Sequence, residues 1–387
     1  MLLLHVSDTH LGSNKPSKTR ERELDFYEVF DEVIDIAIRE GVDAIIHCGD
    51  LFDDPKPSPQ AYFYAFKSLR RLREAGIDFL VVAGQHDQPK TSALSPLRVL
   101  EEVGLAKVLA TFEPWTGVIK LKGNELGITA IPYADPQGIQ ELIKVVKRPN
   151  ASKRVVMAHL LLKELNLPVA HLSLNELRII DYNYVALGDY HGRYVTNYGG
   201  IPIVYPGSTE AQDSLDSRDE RFVALVDIGR EGVAVNWVKL SKFRRWLIIK
   251  SSTYEELIKR LGEINFSEFL KPPILYAEVS NVKSVNLNAK RVLDYLTKLT
   301  QGGKISFYNI KTPNISEELE GPQREVTTSV STLDSVVHNL LKDPKLSELV
   351  LSIIKGSDDV EFVEALINQL MNDRELINKL EKLVKTK

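Results

Sequence analysis

Short apolar runs that end in polar or charged residues alternate with amphipathic stretches over the first half of the chain. Leu2 to Val6 has the make-up of a buried strand and opens into Ser7-Asp8-Thr9-His10. A polar, basic loop from Ser13 to Arg22 follows. Phe26, Phe30, Val33, Ile34, Ala37 and Ile38 then recur at helical spacing, and Gly41 closes that helix. Asp43 to Cys48 predicts a second strand, running into Gly49-Asp50-Leu51-Phe52-Asp53. Ser58 and Pro59 have the form of an N-cap and a first helical residue. Tyr62, Ala65, Phe66, Leu69 and Leu72 share one face of the helix they open, which ends at Gly76. A third strand, Ile77 to Ala83, delivers Gly84-Gln85-His86-Asp87.

This alternation predicts a parallel-type sheet covered by helices. From Lys107 to Pro132, strand-like pieces are broken by Gly and Pro. Arg154 to Ala158 predicts a strand ending at His159, and Tyr184 to Leu187 one ending at Gly188-Asp189-Tyr190-His191. Ile201 to Val204 leads to Tyr205-Pro206-Gly207-Ser208, and strands continue to Val238. At Trp246 the texture changes. A helix over Tyr254–Ile264, a strand over Ile274–Val279, a helix over Leu287–Leu299 and a strand over Lys304–Ile310 predict a unit without polar strand ends. Lys311 to Ser329 lacks periodicity, as a linker would, and Thr332 to Lys387 reads as helix throughout. The expected boundaries are 1–243, 244–312, 313–330 and 331–387.

With 387 residues the chain has room for two or three domains. Its 49 Lys and Arg against 53 Asp and Glu give a net charge of −4. That is no basic footprint, so nucleic-acid binding would rest on local patches or a partner. The single cysteine, Cys48, excludes an intramolecular disulfide and suits a reducing compartment. Without a signal pattern or an apolar run of membrane-spanning length, the expectation is a soluble, cytoplasmic protein with no membrane contact.

The polar strand ends carry Asp8 and His10, Asp50, Gln85 and His86, His159, then Asp189 and His191, using four of the eight histidines. One such His is ordinarily a hydrogen-bonded structural residue; five strand ends in succession are a pattern. Parallel strands bring their carboxyl ends to one crevice, and alternation sends Asp8 and His10 to the same side. Converging carboxylates, amides and imidazoles stay unsatisfied unless a cation compensates them. Mixed oxygen and nitrogen ligands without Cys suit Mn²⁺, Fe²⁺ or Zn²⁺, in number enough for two ions. Asp50, with two oxygens to share, is the candidate bridge.

In order, Asp8-x-His10, Gly49-Asp50, Gly84-Gln85-His86-Asp87, His159 and Gly188-Asp189-x-His191 resemble the five motifs of calcineurin-like metallophosphoesterases. Ser7-Asp8-Thr9-His10-Leu11-Gly12, Gly49-Asp50-Leu51-Phe52-Asp53 and Tyr205-Pro206-Gly207-Ser208 further resemble the SbcD/Mre11 family of double-strand-break repair nucleases. The resemblance covers residues 1 to about 240 and extends in layout to the unit after Trp246. It implies a four-layer α/β sandwich, a small α/β capping domain that binds DNA, and a helical C-terminal tail. It also implies two Mn²⁺ ions, exonuclease action on DNA ends, endonuclease action on single strands, a homodimer, and an SMC-like ABC ATPase of the SbcC/Rad50 type as partner. Asp8, His10, Asp50 and His191 would be metal ligands, Asp50 bridging, with His159 a further ligand. His86 would protonate the leaving oxygen or stabilise the phosphoryl charge.

Two positions depart from the family pattern, which has Asn at Gln85 and His at Asp189. Both fall in the second ion's surroundings, and altered metal preference with retained activity is expected. A nuclease-impaired DNA-break scaffold is the rival reading, and a phosphatase or phosphodiesterase of the same superfamily another. His5 and His47 read as core or sheet residues, His171 and His338 as surface positions, and Cys48 as packing. Lys15, Lys18, Arg20, Arg22 and Arg193 are either contacts to DNA phosphates or ordinary solvated charge. Phe63 and Tyr64, lying off their helix's core stripe, together with Leu94, Leu97 and Leu100, are the expected dimer surface. Leu333, Val336, Val337, Leu340 and Leu341, then Phe362, Leu366, Leu370, Leu376, Leu380 and Leu383, give the tail apolar stripes for docking the ATPase.

Overall fold

A computed structural model of the chain describes residues 1–90, 94–177, 181–218, 220–230, 232–280, 287–312 and 319–320. The tail expected over 331–387, His338 included, lies outside them. The first elements are β1 (Leu2–Val6), α1 (Arg20–Glu40), β2 (Ala44–Cys48), α2 (Pro59–Glu74), β3 (Asp78–Val82), α3 (Pro96–Glu102) and β4 (Lys107–Ala110). Then come β5 (Trp115–Leu121), β6 (Asn124–Ile131), α4 (Pro136–Val145), β7 (Arg154–His159), β8 (Tyr184–Gly188), β9 (Tyr194–Tyr198), β10 (Ile201–Tyr205), β11 (Phe222–Ile228) and β12 (Val233–Lys239). The last are β13 (Trp246–Ser251), α5 (Tyr254–Gly262), β14 (Ile274–Val279), α6 (Leu287–Gln301), β15 (Phe307–Lys311) and β16 (Leu319–Glu320).

The strands up to β12 form two six-stranded sheets rather than the single sheet that the alternation predicts, in the orders β12-β11-β1-β2-β3-β4 and β5-β6-β7-β8-β10-β9. Strands β1 to β4, and β6, β7, β8 and β10, pair in parallel, while β11, β12, β5 and β9 pair antiparallel with their neighbours. Side-chain alternation assigns the layers. Leu4 and Val6 of β1, Ile45 of β2 and Val81 of β3 pack under α1 and α2 with Phe30, Val33, Ala65 and Leu69. Leu3, Ile46, Cys48 and Leu80 face the other way and meet Ile128, Met157, Tyr184 and Ala186 of the second sheet. That sheet's far side, Val156, Ala158 and Val185, is covered by Ile139 and Ile143 of α4. The result is helix, sheet, sheet, helix: four layers, with central strands buried on both faces, which is why they read as unbroken apolar runs. A third sheet, β13-β14-β15-β16, has its own core, with Leu257 and Leu261 of α5 and Leu296 of α6.

Several surface expectations are corrected. Ile38, counted in the α1 stripe, is 36% exposed. Leu97 and Leu100 are fully buried, and Tyr64 stacks on Tyr27 with ring centroids 4.2 Å apart, so of the expected dimer surface only Phe63 and Leu94 stand exposed. Arg22 is not a DNA-facing residue but is 2% exposed. Its Nη1 lies 3.0 Å from Asp25 Oδ2 and its Nη2 3.1 Å from Glu210 Oε1. Arg244 joins them: Nε is 2.5 Å from Asp25 Oδ2, and the backbone N–H donates to Glu210 Oε2 at 2.8 Å. Lys271 Nζ is 2.9 Å from Asp25 Oδ1. The network ties α1 to the loop after β10 and to the segments leading into β13 and β14.

Burial opposes ionisation of Asp25, but the hydrogen bond from Arg244 and the charges of Arg22, Arg244 and Lys271 hold its carboxyl below the usual range. A carboxyl depressed in the fold stabilises above its unfolded value of about 3.9, and that stability is lost as pH falls through the folded value. Asp25→Ala should therefore cost about 3–5 kcal/mol at neutral pH by stranding buried cations. Urea melts should show the gap to wild type narrowing as pH falls below about 4; a gap constant with pH would contradict this origin.

Candidate metal centre

The loops leaving β1, β2 and β3 meet those leaving β7 and β8 where the two sheets abut. Asp8 N–H donates to Gly49 O at 3.0 Å and His10 N–H to Asp50 O at 3.0 Å, zipping the first two loops together. Asp8, His10, Asp50 and Asp189 have φ of 52°, 46°, 52° and 87°, a left-handed backbone costly for residues with a Cβ. Four strained residues at one spot are held there by the surrounding hydrogen bonds, as is common at functional sites. Close approach also demands glycine: a Cβ on Gly84 would lie 2.1 Å from Asp50 Oδ1, and one on Gly49 2.1 Å from His159 Nδ1.

Three clusters offer ligand atoms that all lie within 4.8 Å of one another: Asp8, His10 and His191; His10, Asp50 and His86; and Asp8, Asp50 and His159. Asp50 belongs to two of them. Its Oδ1 accepts the His86 N–H at 2.8 Å, while Oδ2 is buried without a hydrogen bond among the described residues. That orphan oxygen lies 3.5 Å from His159 Nε2 and 4.0 Å from His10 Nε2. His10 Nε2 and His191 Nε2 face each other at 3.2 Å. His159 Nδ1 donates to Cys48 O at 2.7 Å, which directs Nε2 inward, where it meets Gln85 Oε1 at 2.7 Å. The Gln85 amide cannot turn round, because its Nε2 donates to Asp189 Oδ1 at 3.2 Å. An imidazole nitrogen facing a carbonyl oxygen needs positive charge between them, from a proton or a cation. These donors, nitrogen and oxygen without sulfur, fit a pair of divalent ions of the Mn²⁺, Fe²⁺ or Zn²⁺ type.

Charge follows the same pattern. Burial disfavours ionised Asp50, but the nearby His159, with His10 and His86, holds its carboxyl well below the usual range. Burial pushes the Asp8 carboxyl up. His159 is driven well above the usual imidazole value, against burial, by Asp50, Asp189 and Asp8. Burial also opposes protonation of His191, yet its bond to Asp216 and the nearby carboxylates push it up to about 9.

Every expected site residue is brought to this crevice. Asp189 joins none of the three clusters; its Oδ1 accepts from the Gln85 amide and lies 3.8 Å from His159 Nε2, and its N–H donates to the Asp8 carboxylate. His86 is half-buried; its Nδ1 donates to Asp53 O at 2.7 Å, leaving Nε2 for chemistry. His5 and His47 are buried, as expected, and burial lowers both to about 3. His171, expected at the surface, is 4% exposed: its Nδ1 accepts the Leu161 N–H at 2.8 Å and its ring abuts Tyr133. The fold-back of the loop after β7 puts it there, and nothing in its neighbouring residues announces that.

Sequence reasoning assigned no part to Asp87, Asp53, Gln212 or Asp216. Asp87 accepts from the N–H groups of Leu51, Phe52 and Gly84 at 3.1–3.2 Å, binding the β2 and β3 loops together. Burial and the Asp50 charge raise its carboxyl to about 7. Its signal was its place beside His86. Ser208 and Thr209 donate their N–H groups to the carbonyls of His191 and Asp8, so the Tyr205-Pro206-Gly207-Ser208 turn braces the ligand loops from below.

Two stacked sheets whose joined strand ends gather buried carboxylates and imidazoles define a calcineurin-like phosphoesterase, and the family model of that description matches residues 1–251. Among curated proteins, the chain is 30% identical over 378 residues to the DNA double-strand break repair protein Mre11 of Sulfurisphaera tokodaii, covering 94% of this chain and 95% of that one. It is 30% identical to the protein of the same name from Sulfolobus acidocaldarius and 28% to that from Saccharolobus solfataricus, each over 95% of this chain and 98% of the relative. The chain belongs to the Mre11 family of metal-dependent phosphoesterases. Among the described residues, no helix is long and apolar enough to cross a membrane.

Proposed function

We propose that this protein is a Mn²⁺-dependent DNA nuclease of double-strand-break repair, an exonuclease on DNA ends and an endonuclease on single strands. The observation that carries the metal-dependent chemistry is the buried, unpartnered Asp50 Oδ2 between two inward-facing imidazoles. The DNA substrate follows from the relatives' shared name. Asp8, His10, Asp50 and His191, with His159, Gln85 and Asp189 on the second side, would hold two ions, Asp50 serving both. Bound ions supply Lewis acidity towards a phosphoryl group and a nucleophile available near neutral pH. His86 Nε2 hands a proton to the departing sugar oxygen or hydrogen-bonds the phosphoryl charge. The strained loops keep the ligands in place before substrate arrives, so little reorganisation accompanies the reaction.

The division into nuclease, capping, linker and tail segments at 243, 312 and 330 belongs to this reading, as does a cytoplasmic location. So do a homodimer through the face bearing Phe63 (62% exposed) and an SbcC/Rad50-type ATPase docked on the tail. A one-chain mass by light scattering would exclude the dimer. An ATPase that still binds the chain cut after Ser329 would exclude tail docking. The function itself is tested with end-labelled duplex and circular single-stranded DNA. Cleavage of both in Mn²⁺, weaker cleavage in Mg²⁺ and none in EDTA is expected. DNA bound but uncut in every metal would favour the scaffold reading.

A further inference from the structure

The four inward-facing imidazoles are not backed alike. His191 Nδ1 is hydrogen-bonded to Asp216 Oδ2 at 2.7 Å, while His10 Nδ1 faces Asp53 Oδ1 at 3.3 Å as a charge contact, without a hydrogen bond among the described residues. His159 and His86 instead direct Nδ1 to neutral backbone carbonyls, Cys48 O and Asp53 O, each at 2.7 Å. A carboxylate behind an imidazole fixes its orientation and makes its other nitrogen a stronger donor to a metal than a carbonyl does. Both carboxylate-backed rings aim Nε2 at the same point, 3.2 Å apart, beside Asp8.

One residue joins the two carboxylates. The Gln212 backbone N–H donates to Asp216 Oδ2 at 3.2 Å, and its side-chain Nε2 donates to Asp53 Oδ1 at 2.7 Å. Lys15 Nζ holds the Gln212 Oε1 at 3.3 Å, which fixes the amide's orientation. The loop carrying Asp216 is held by a second carboxylate as well. Asp213 Oδ1 already accepts the N–H groups of Leu215 and Asp216, at 2.7 and 2.9 Å. Asp216 Oδ2 serves both the Gln212 N–H and His191.

We infer that Asp53, Gln212 and Asp216 form a clamp that positions His10 and His191 and makes the metal position these share with Asp8 the tighter of the two. These three are positioning residues: they act on the ligands, not on substrate. The inference rests on the dimetal reading above and adds an order of filling to it. The ion beside Asp8, His10 and His191 binds first, and the one beside His159, Gln85 and Asp189 second.

Calorimetric titration of the full chain with Mn²⁺, without DNA, tests this apart from activity. Wild type should show two separated binding steps. Asp216→Asn, close in shape but uncharged, should weaken the tighter step by about 10–100-fold and leave the weaker one unchanged. Gln212→Ala should weaken the same step by a smaller factor; Gln212 touches no expected ligand, so this arm stays informative if the Asp216 variant folds poorly. Unchanged affinities in both variants, or equal weakening of both steps, would overturn the clamp. A wild-type chain that takes up Mn²⁺ in two indistinguishable steps would overturn the order of filling. One that takes up none would overturn the dimetal reading itself, and the clamp with it.

Discussion

Asp50→Asn is expected to lose at least about 10²–10³-fold in cleavage, the scale on which removing one preorganised electrostatic group acts. The amide keeps the shape and can still accept the His86 N–H that now reaches Oδ1 at 2.8 Å. What disappears is the charge on an oxygen that lies 3.5 Å from His159 Nε2 and 4.0 Å from His10 Nε2. Because that oxygen faces an imidazole on each side of the centre, both ions should bind weakly in the variant, and added Mn²⁺ should not restore the rate. Elemental analysis and a cleavage assay on the same preparation decide it. A variant that retains two ions per chain would remove Asp50 as the bridge.

His86→Ser should separate chemistry from metal binding. The ring is half-buried, and its Nδ1 is committed to Asp53 O. Its expected task is proton transfer or charge stabilisation by Nε2, worth roughly 10²–10⁴-fold. The rate should fall by that factor while Mn²⁺ affinity stays near wild type. His86 also sits within 4.8 Å of His10 and Asp50 ligand atoms, so the opposite outcome is physically meaningful. Loss of an ion in His86→Ser would make it a ligand instead of a proton donor.

The strands and the polar residues they deliver to the crevice are legible in the sequence because burial on both faces leaves long apolar runs that those residues break. The pairing of those strands is not legible. Alternation places Leu3 and Leu4 on opposite sides of β1 but cannot say that Leu3 meets a second sheet rather than a helix. The four-layer arrangement was reachable only through resemblance. Helices α3 and α4 start at Ser95-Pro96 and Asp135-Pro136, the same N-cap and Pro signal that marks α2. They are short enough for their apolar spacing to be lost among neighbouring strands. Arg22 and His171 misled for a common reason: charge or polarity suggests exposure, whereas residues outside their own segments, Glu210 for Arg22 and Tyr133 for His171, pack against them in the fold. Gln212 and Asp216 lie in a loop without periodicity, and only the folded chain brings them to His10 and His191.

Counting the metal is the most direct measurement. The full chain is loaded with Mn²⁺, desalted, and analysed by inductively coupled plasma mass spectrometry against protein concentration. About two Mn²⁺ per chain, lost on EDTA treatment together with DNA cleavage, is the expected result, since two ions sharing one carboxylate is the arrangement proposed for this site. One ion or none per chain, with DNA cleavage undiminished, would contradict it.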